Sequence, residues 1–567
     1  MKNRLVLKIL SLLILFIPIN LFGQSYCIPT SVYGTQYNTF INGVILGSIS
    51  NLSSGSPSGP SYNDYTSMST KIVYGDPVEL KVTGSSYYSN MYFYAWIDYN
   101  HDYDFNDAGE LLGYFITTAS NQTKSIFFNV PFSALSGTTR LRVTTVWNIP
   151  GYSPCNSYDY GETEDYTVDI SPRFTEKSAL YKYGLYCSAV WTDYNNDGFL
   201  DALYTSGSTG KLHCYINNNG TSFSDVNSGL DGPKRGVIVP GDYNRDGNID
   251  ILVSGTVEQA IDPTTFFTKI YKNTGGTFID IGAGLPGLYL SSADWGDFDN
   301  DGDLDILLSG LGSVDPITRI YENKGSDIFV EYPAILKGSS EGDCMWWDFN
   351  NDSYLDIIVS GLNIDGNSEI AIYRNNNGKG FSKITNAFLN IPGAFDIGDY
   401  DQDGDLDIVI AGAENMQPSV GGSPKTVVYR NDGNEVFTNI NASIQNVHEA
   451  DVKFGDADND GDLDILLLGR GAYYSDKYIQ LYKNEGNDSF VLEPMSMTPL
   501  YGGELDWGDY DNDNDLDFLY TGSDNYLRII ENNTASVISN IKPSPPTTFS
   551  SKRSEERRVG KECRSRW

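Results

Sequence analysis

Histidine, cysteine and positive charge are what this sequence has least of. Only 3 His occur in 567 residues, at His101, His213 and His448, far from one another. They offer no histidine metal cluster, and the single His213-Cys214 neighbour pair is too little for a Cys/His cluster, so each reads as a structural or surface residue. The 6 Cys show no CxxC spacing, which argues against a zinc ribbon or a dithiol redox motif. Lys and Arg number 38 against 74 Asp and Glu, a formal net charge of −36. With no basic stripe to meet phosphate, nucleic acid is excluded as an expected partner. Long apolar runs are also missing. The longest candidate, Ile9–Phe22, follows Lys2, Arg4 and Lys8 and is interrupted by Pro18; it is too short for a comfortable membrane span. Residues 1–23 therefore read as an export signal, with no transmembrane segment, and the expectation is a secreted or cell-surface monomer. Export makes disulfides admissible. Cys27 and Cys155 are the favoured pair, Cys187 and Cys214 could pair within a later segment, and Cys344 reads as a buried thiol. The string Gly55-Ser-Pro-Ser58-Gly59 has a nucleophile-like spacing, but it lies in a Ser/Gly-rich stretch without helix context and is set aside.

What the sequence has in abundance is acid in register. In Trp295–Gly310, WGDFDNDGDLDILLSG, Asp297, Asp299, Asp301 and Asp305 fall at positions 1, 3, 5 and 9 of a short loop, with Gly302 at position 6. Calcium takes six to eight hard oxygen ligands; alternate residues of a tight loop aim carboxylates at one point, and Gly permits the bend. The apolar run after the loop reads as a buried strand ended by a turn.

The pattern recurs at a spacing of about fifty residues, the mark of repeated supersecondary units. Loops begin at Asp193, with Asn195, Asp197 and Asp201 following, and at Asp242, with Asn244, Asp246 and Asp250. After the Asp297 loop come Asp348 with Asn350, Asp352 and Asp356, then Asp399 with Asp401, Asp403 and Asp407. The last two are Asp456 with Asp458, Asp460 and Asp464, and Asp509 with Asp511, Asp513 and Asp517. Ser353 and Asn514 replace the position-6 Gly, and Ser tolerates a left-handed backbone poorly, so the Asp348 loop is expected to be the weakest. A Phe stands 18 or 19 residues before each loop, as at Phe174 and Phe278, and six of the seven follow an aliphatic–Tyr–x–Asn run or a close variant. Each repeat thus predicts four short strands, the pattern of a propeller blade. No Phe strand follows the last repeat, so Phe174 and its neighbours are expected to complete it and close the ring.

Residues 24–172 are rich in Tyr, Ser, Thr and Gly, with alternating runs such as Met91–Ile97, and read as a β-sandwich. Asp98, Asn100 and Asp102 open a further candidate cation loop, with Tyr103 where Gly would stand.

Two stretches carry family resemblances. The Tyr26-Cys27 opening, WIDYNHDYDFNDAGE and Gly161-Glu-Thr-Glu-Asp165-Tyr166 resemble a GEVED domain, with Thr163 at the name-giving Val. That resemblance implies a β-sandwich accessory module. Residues 173–535 resemble FG-GAP/VCBS repeats, which build the calcium-binding propeller of integrin α subunits. What this implies is about seven structural Ca2+ sites at the periphery, with ligands bound elsewhere, often on the opposite face. The expected fold is all-β, an N-terminal β-sandwich followed by a seven-bladed β-propeller. Residues 536–552 read as a Pro-rich linker or the start of a further module. Residues 553–567, RSEERRVGKECRSRW, resemble a translated sequencing adapter.

The expected function is a non-enzymatic, calcium-stabilised binding or adhesion protein recognising a protein or glycan ligand through loops of the repeated domain. The alternative is a calcium-dependent polysaccharide lyase or hydrolase, or an accessory region of one. It would need a base or a carboxylate pair in a cleft, and the most conspicuous acids are committed to the loops.

Overall fold

The computed structural model describes residues 25–534 apart from 86–89, 118, 182–185, 207–209, 258–261, 385–387, 415–421 and 525. The export signal, the Pro-rich stretch and the adapter-like tail lie outside the described residues. The chain divides into two compact units, Met1–Ser171 and Pro172–Trp567. Among the described residues no helix is long and apolar enough to cross a membrane.

In the first unit a four-stranded antiparallel sheet has the order Ile49–Leu52, Ile41–Leu46, Pro77–Gly84, Gln122–Asn129. A six-stranded sheet is built around Tyr158–Ser171, which pairs antiparallel with Gly137–Trp147 and parallel with both Tyr62–Val73 and Ser31–Gly34. Met91–Ile97 and Leu111–Thr117 continue it. Alternate residues of both sheets, among them Val44, Leu80, Phe93, Ala95, Val143 and Val168, share one core. A disulfide joins Cys27 to Cys155.

The second unit holds seven four-stranded antiparallel sheets. A representative one runs Tyr289–Gly296, Asp305–Leu311, Pro316–Asn323, Phe329–Tyr332 in chain order. The apolar run after each loop fails to alternate because its strand is buried on both faces. Ile306 and Leu308 pack with Tyr243, Leu252 and Ile270 of the preceding sheet, while Leu307 packs with Trp346 and Ile357 of the following one. The Gly that ends four of the first strands, at Gly241, Gly296, Gly455 and Gly508, admits a neighbour's indole: a Cβ on Gly296 would stand 2.6 Å from Trp346, and one on Gly508 2.7 Å from Leu200 and 2.8 Å from Trp191.

Phe174–Tyr181 pairs with Tyr526–Asn532, Phe174 opposite Asn532, and supplies the fourth strand of the last sheet. It completes a four-stranded unit without making the ladders continuous. Each ladder has two open edges and none passes into the next sheet. The sheets are not closed into a barrel or propeller, so the seven-bladed β-propeller expected from the sequence is corrected to an all-β, mostly antiparallel fold of separate open sheets. The physical reason is that a fifty-residue period specifies the unit and its four strands but not how the units are arranged. Cys187 and Cys214 are buried and not joined to each other; Cys344 is a buried thiol.

Candidate metal loops and a cavity

Each repeat loop is shaped by its own carboxylates. Asp193 Oδ1 accepts the Asp197 N–H at 3.1 Å and Oδ2 the Gly198 N–H at 2.9 Å, while Asp197 Oδ1 accepts the Phe199 N–H at 2.9 Å. The backbone turns left-handed at position 4 and again at position 6, as at Asn300 (φ 67°) and Gly302 (φ 97°). Ser353 adopts φ 70° and still donates its N–H to Asp348 Oδ2 at 2.9 Å. The loop expected to be weakest therefore has the same shape as the others, held against the αL penalty of roughly 1–2 kcal/mol for a residue with a Cβ.

The structure brings Asp297, Asp299 and Asp305 together, likewise Asp399, Asp401 and Asp407, and Asp456, Asp458 and Asp460, each set with carboxylate oxygens within 4.8 Å of one another. Position 9 is the most buried member. Asp201, Asp250, Asp305, Asp356, Asp407, Asp464 and Asp517 are all at most 1 % exposed. Their Oδ1 atoms accept the backbone N–H of Asn217, Asn273, Asn323, Asn375, Asn431, Asn484 and Asn532 at 2.6–2.8 Å. Burial pushes these carboxyls up, Asp201 to about 7 and Asp305 to about 8, with the neighbouring loop carboxylates adding to the shift. The same seven Asn donate Nδ2 at 2.7–3.1 Å to the position-2 carbonyl of the preceding repeat's loop, Asn217 reaching Tyr510 of the last. The recurring Tyr-x-Asn is thus a clamp on two loops at once, a role its spacing alone did not disclose.

The donor set fits a hard cation. Every candidate ligand is an oxygen, and buried oxygens without a hydrogen-bond partner stand in several loops: Asp201 Oδ2, Asp399 Oδ1, Asp458 Oδ1, Asp511 Oδ1 and both oxygens of Asp515. Buried polar atoms in that state call for a partner, and calcium takes such oxygens.

The first unit repeats the geometry. Asp98 accepts the N–H groups of Asp102 at 3.3 Å and Tyr103 at 3.1 Å, and His101 (φ 57°) and Tyr103 (φ 72°) take the two left-handed positions. The converging carboxylates there are Asp102, Asp104 and Asp107. Asp98 is spent on backbone and on the Tyr26 hydroxyl at 2.6 Å, and Asn100 donates to Asp107 Oδ2 at 2.6 Å. Glu110 takes the buried role, accepting the Tyr99 N–H at 3.1 Å, and burial pushes its carboxyl up to about 7. Asp104, Asp107 and Glu110 were not among the expected site residues; the oxygen-bearing alternation runs on through Asp104, whereas Asp107 and Glu110 fall outside it.

The motif around Glu162 has a different purpose. Asp165 is fully buried and gripped by Arg142, Nε to Oδ1 and a terminal nitrogen to Oδ2, both 2.7 Å, with Tyr62 adding 2.9 Å. Glu162 braces the Ile41 N–H at 2.7 Å and Asn63 at 2.5 Å.

Residues 92–169 match the GEVED domain, and residues 193–253, 348–410, 399–467 and 456–520 match the FG-GAP-like repeat. The chain carries a GEVED domain followed by tandem FG-GAP-like repeats. No curated relative matches the sequence. Among solved structures the chain is similar to a quinonprotein alcohol dehydrogenase-like protein from Bacteroides thetaiotaomicron, at 8% identity over 76% of this chain and 94% of that one, TM-score 0.34. It is similar also to a fucose-specific lectin from Aleuria aurantia, at 8% identity over 57% and 99%, TM-score 0.32. A Trypanosoma rangeli sialidase matches at 9% identity over 62% and 55%, TM-score 0.31. At these scores the likenesses carry no argument about what the FG-GAP-like repeats bind.

A cavity of about 740 Å³ is lined by the first strands of the FG-GAP-like repeats and the turns before them. Its carboxylates hold strands in place. Asp294 accepts the Trp346 N–H at 2.9 Å, Asp396 that of Phe454 at 2.9 Å, Asp451 that of Leu505 at 2.8 Å and Asp506 that of Trp191 at 2.8 Å. Glu504 accepts Ser188 Oγ at 2.7 Å and the Ala189 N–H at 3.0 Å. At the entry to the first strands, Tyr186 and Glu341 in the preceding turns and Arg235, Leu290 and Glu449 at the irregular second residue of the strand are all left-handed, φ 42° to 60°, a conformation that clusters at functional sites. Arg235 stacks on Tyr186 at 4.1 Å, and Arg470 lies 4.2 Å over Tyr474 and pairs with Glu449 at 2.6 Å. Tyr473 and Tyr474 are 71% and 66% exposed. The loops join the far ends of the same strand pairs, so this cluster and the acidic loops occupy opposite ends of strands roughly 20 Å long.

Proposed function

We propose that this chain is a calcium-stabilised, exported binding module that takes a glycan or protein ligand at the cavity mouth, with the loop carboxylates structural. Asp193, Asp242, Asp297, Asp348, Asp399, Asp456, Asp509 and their loop partners hold about seven Ca2+ ions in this reading, and Asp98, Asn100, Asp102 and their neighbours one more. The observation that carries it is the separation of the two chemistries. Acids converge in small loops at one end of the strand pairs, while exposed tyrosines and stacked guanidinium groups gather at the other. Aromatic faces and Arg/Glu pairs are the side chains that stack on sugar rings and fork onto polar groups, and at protein interfaces they dominate binding energy. A binding role is favoured over a catalytic one because Asp294, Asp396, Asp451, Asp506 and Glu504 are occupied with backbone N–H groups, Glu449 is paired with Arg470, and His448 is held at 3.0 Å on the Gly471 carbonyl.

The test is a panel of glycans and extracellular proteins presented to the full chain in about 1 mM calcium, with retention and depolymerisation both measured. Retention that Tyr474→Ala or Arg470→Ala lowers about tenfold or more, without turnover, is the expected result. Depolymerisation would replace the binding reading by the lyase or hydrolase.

A further inference from the structure

The residue between Tyr and Asn on the third strand of each repeat is the variable member of an otherwise regular motif. In the third repeat it is Glu322, whose carboxylate lies within 4.8 Å of those of Asp299 and Asp301 and is paired with Lys324, a half-exposed side chain that does not contact the loop carboxylates directly. In the sixth it is Lys483, whose ammonium contacts Asp458 and stands 3.2 Å from Asp460. In the fourth and fifth it is Arg374 and Arg430, which pair elsewhere, with Glu435 at 2.7 Å and with Asp432 and Asp488 at 2.8 Å. One strand position therefore adds an anionic ligand to one loop and places a tethered cation in another. The Asp456 loop receives a second internal cation. Arg173, 5% exposed, holds Glu493 at 2.7 Å and comes within 4.0 Å of the same Asp458 oxygen that Lys483 contacts.

We propose that Lys483 is a built-in occupant of the Asp456 loop that competes with calcium, whereas Glu322 strengthens the Asp297 loop, so the loops fill in a graded order with Asp297 ahead of Asp456. This rests on the calcium reading given above. The physical ground is that a divalent ion entering the Asp456 loop must displace an ammonium that shares its ligands and cannot diffuse away. An ion entering the Asp297 loop gains a fifth carboxylate instead, from which only the half-exposed Lys324 has to swing out into solvent, and ligand charge count sets affinity in such sites. The placement also has a purpose. Arg173 donates to Thr534 Oγ1 at 2.9 Å, and Thr534 and Asn532 both donate to the Ala457 carbonyl, so the Asp456 loop is where the first strand of the unit is fastened beside its last. Internal cations keep that fastening in place when calcium is scarce.

The experiment is calorimetric titration of the calcium-stripped full chain with calcium, comparing wild type, Lys483→Gln, Lys483→Arg and Glu322→Gln, with a thermal melt of each before and after loading. Lys483→Gln is expected to tighten the weakest resolved class of sites about tenfold and to lower the melting temperature of the stripped protein only. Lys483→Arg, which keeps the charge, is expected to titrate as wild type, and Glu322→Gln to weaken the tightest class about tenfold. Unchanged weak-site affinity in a folded Lys483→Gln protein whose wild type binds calcium would overturn the proposal and leave the calcium reading standing. Absence of any calcium heat from the wild type would overturn the calcium reading and this proposal with it. Crystals soaked at rising calcium give the order directly: density at Asp456 before Asp297 is the opposite of what the geometry requires.

Discussion

The Gly161–Tyr166 motif of the first unit and the Asp297 loop of the second both crowd carboxylates into a small volume, and they relieve the repulsion in opposite ways. In the first, Asp165 is matched by the Arg142 guanidinium inside the same sheet. In the second, Asp297, Asp299 and Asp305 bring carboxylate oxygens within 4.8 Å of one another, and the cations beside them are exposed ones engaged by other acids, Arg245 with Asp303 at 3.8 Å and Lys324 with Glu322. Carboxylates about 5 Å apart repel by on the order of 3 kcal/mol per pair at an effective dielectric near 20. A buried ion pair is screened little by the medium, whereas converging carboxylates with only exposed cations nearby tie a loop's fold to the surrounding solution.

Chelation breaks this comparison most sharply. At a tenfold excess over its dissociation constant an ion contributes about 1.4 kcal/mol per site, so seven loops together could supply roughly 10 kcal/mol. Melting of the full chain in excess EDTA is expected to shift the transition of Pro172–Trp567 down by many degrees and that of Met1–Ser171, with its single candidate loop, far less. An unchanged melt would remove the metal from the account. Next in size, Arg142→Met leaves the buried Asp165 carboxylate to Arg140 at 3.2 Å and the Tyr62 hydroxyl and is expected to cost about 3 kcal/mol in the first unit, with no change in the EDTA response of the second. Denaturant titration followed by domain-resolved hydrogen exchange reads both. Ser353→Gly relieves a left-handed Cβ and is expected to raise stability by about 1 kcal/mol; Gly302→Ala should do the reverse by about as much, because its backbone stands at φ 97°.

The smallest effect concerns Glu504, a carboxyl relieved by neither guanidinium nor loop. It is partly accessible to the cavity yet deep in the protein, and burial, with Asp451 adding, pushes it up to about 8. Its folded value lies above the unfolded one, so the native state binds the extra proton. Its contribution is therefore full below the ordinary carboxylate range and is lost as pH rises towards 8. Cavity water screens the group, so the slope should fall short of the roughly 1.4 kcal/mol per pH unit of one full proton. Urea midpoints at pH 5 to 8 are expected to drift less in Glu504→Gln than in wild type.

Much of this was readable in the residues. The DxDxDG spacing located each loop, and the DILLSG runs located the doubly buried strands, because both are set by contacts within a few residues. Phe174 opposite Asn532 was readable from a missing strand at one end and a spare one at the other. What was not readable depends on neighbours far away in sequence. Nothing local distinguishes Asn273 as a clamp on Tyr194, Glu110 as a substitute for a position-9 Asp, or Lys483 as a loop occupant. The closed propeller went beyond its signal, for the period and the spare Phe174 strand defined four-stranded units and were taken to define a closed ring of them as well. The cavity was invisible because its lining comes one short strand at a time.

Each repeat's first two strands form a hairpin with an acidic loop at one tip and the cavity mouth at the other. A substitution at Tyr474 or Arg235 lands a full strand length from any loop carboxylate. Descendants of this gene can therefore exchange what they grip without renegotiating how they stand up, in the way a tool accepts new bits on an unchanged handle.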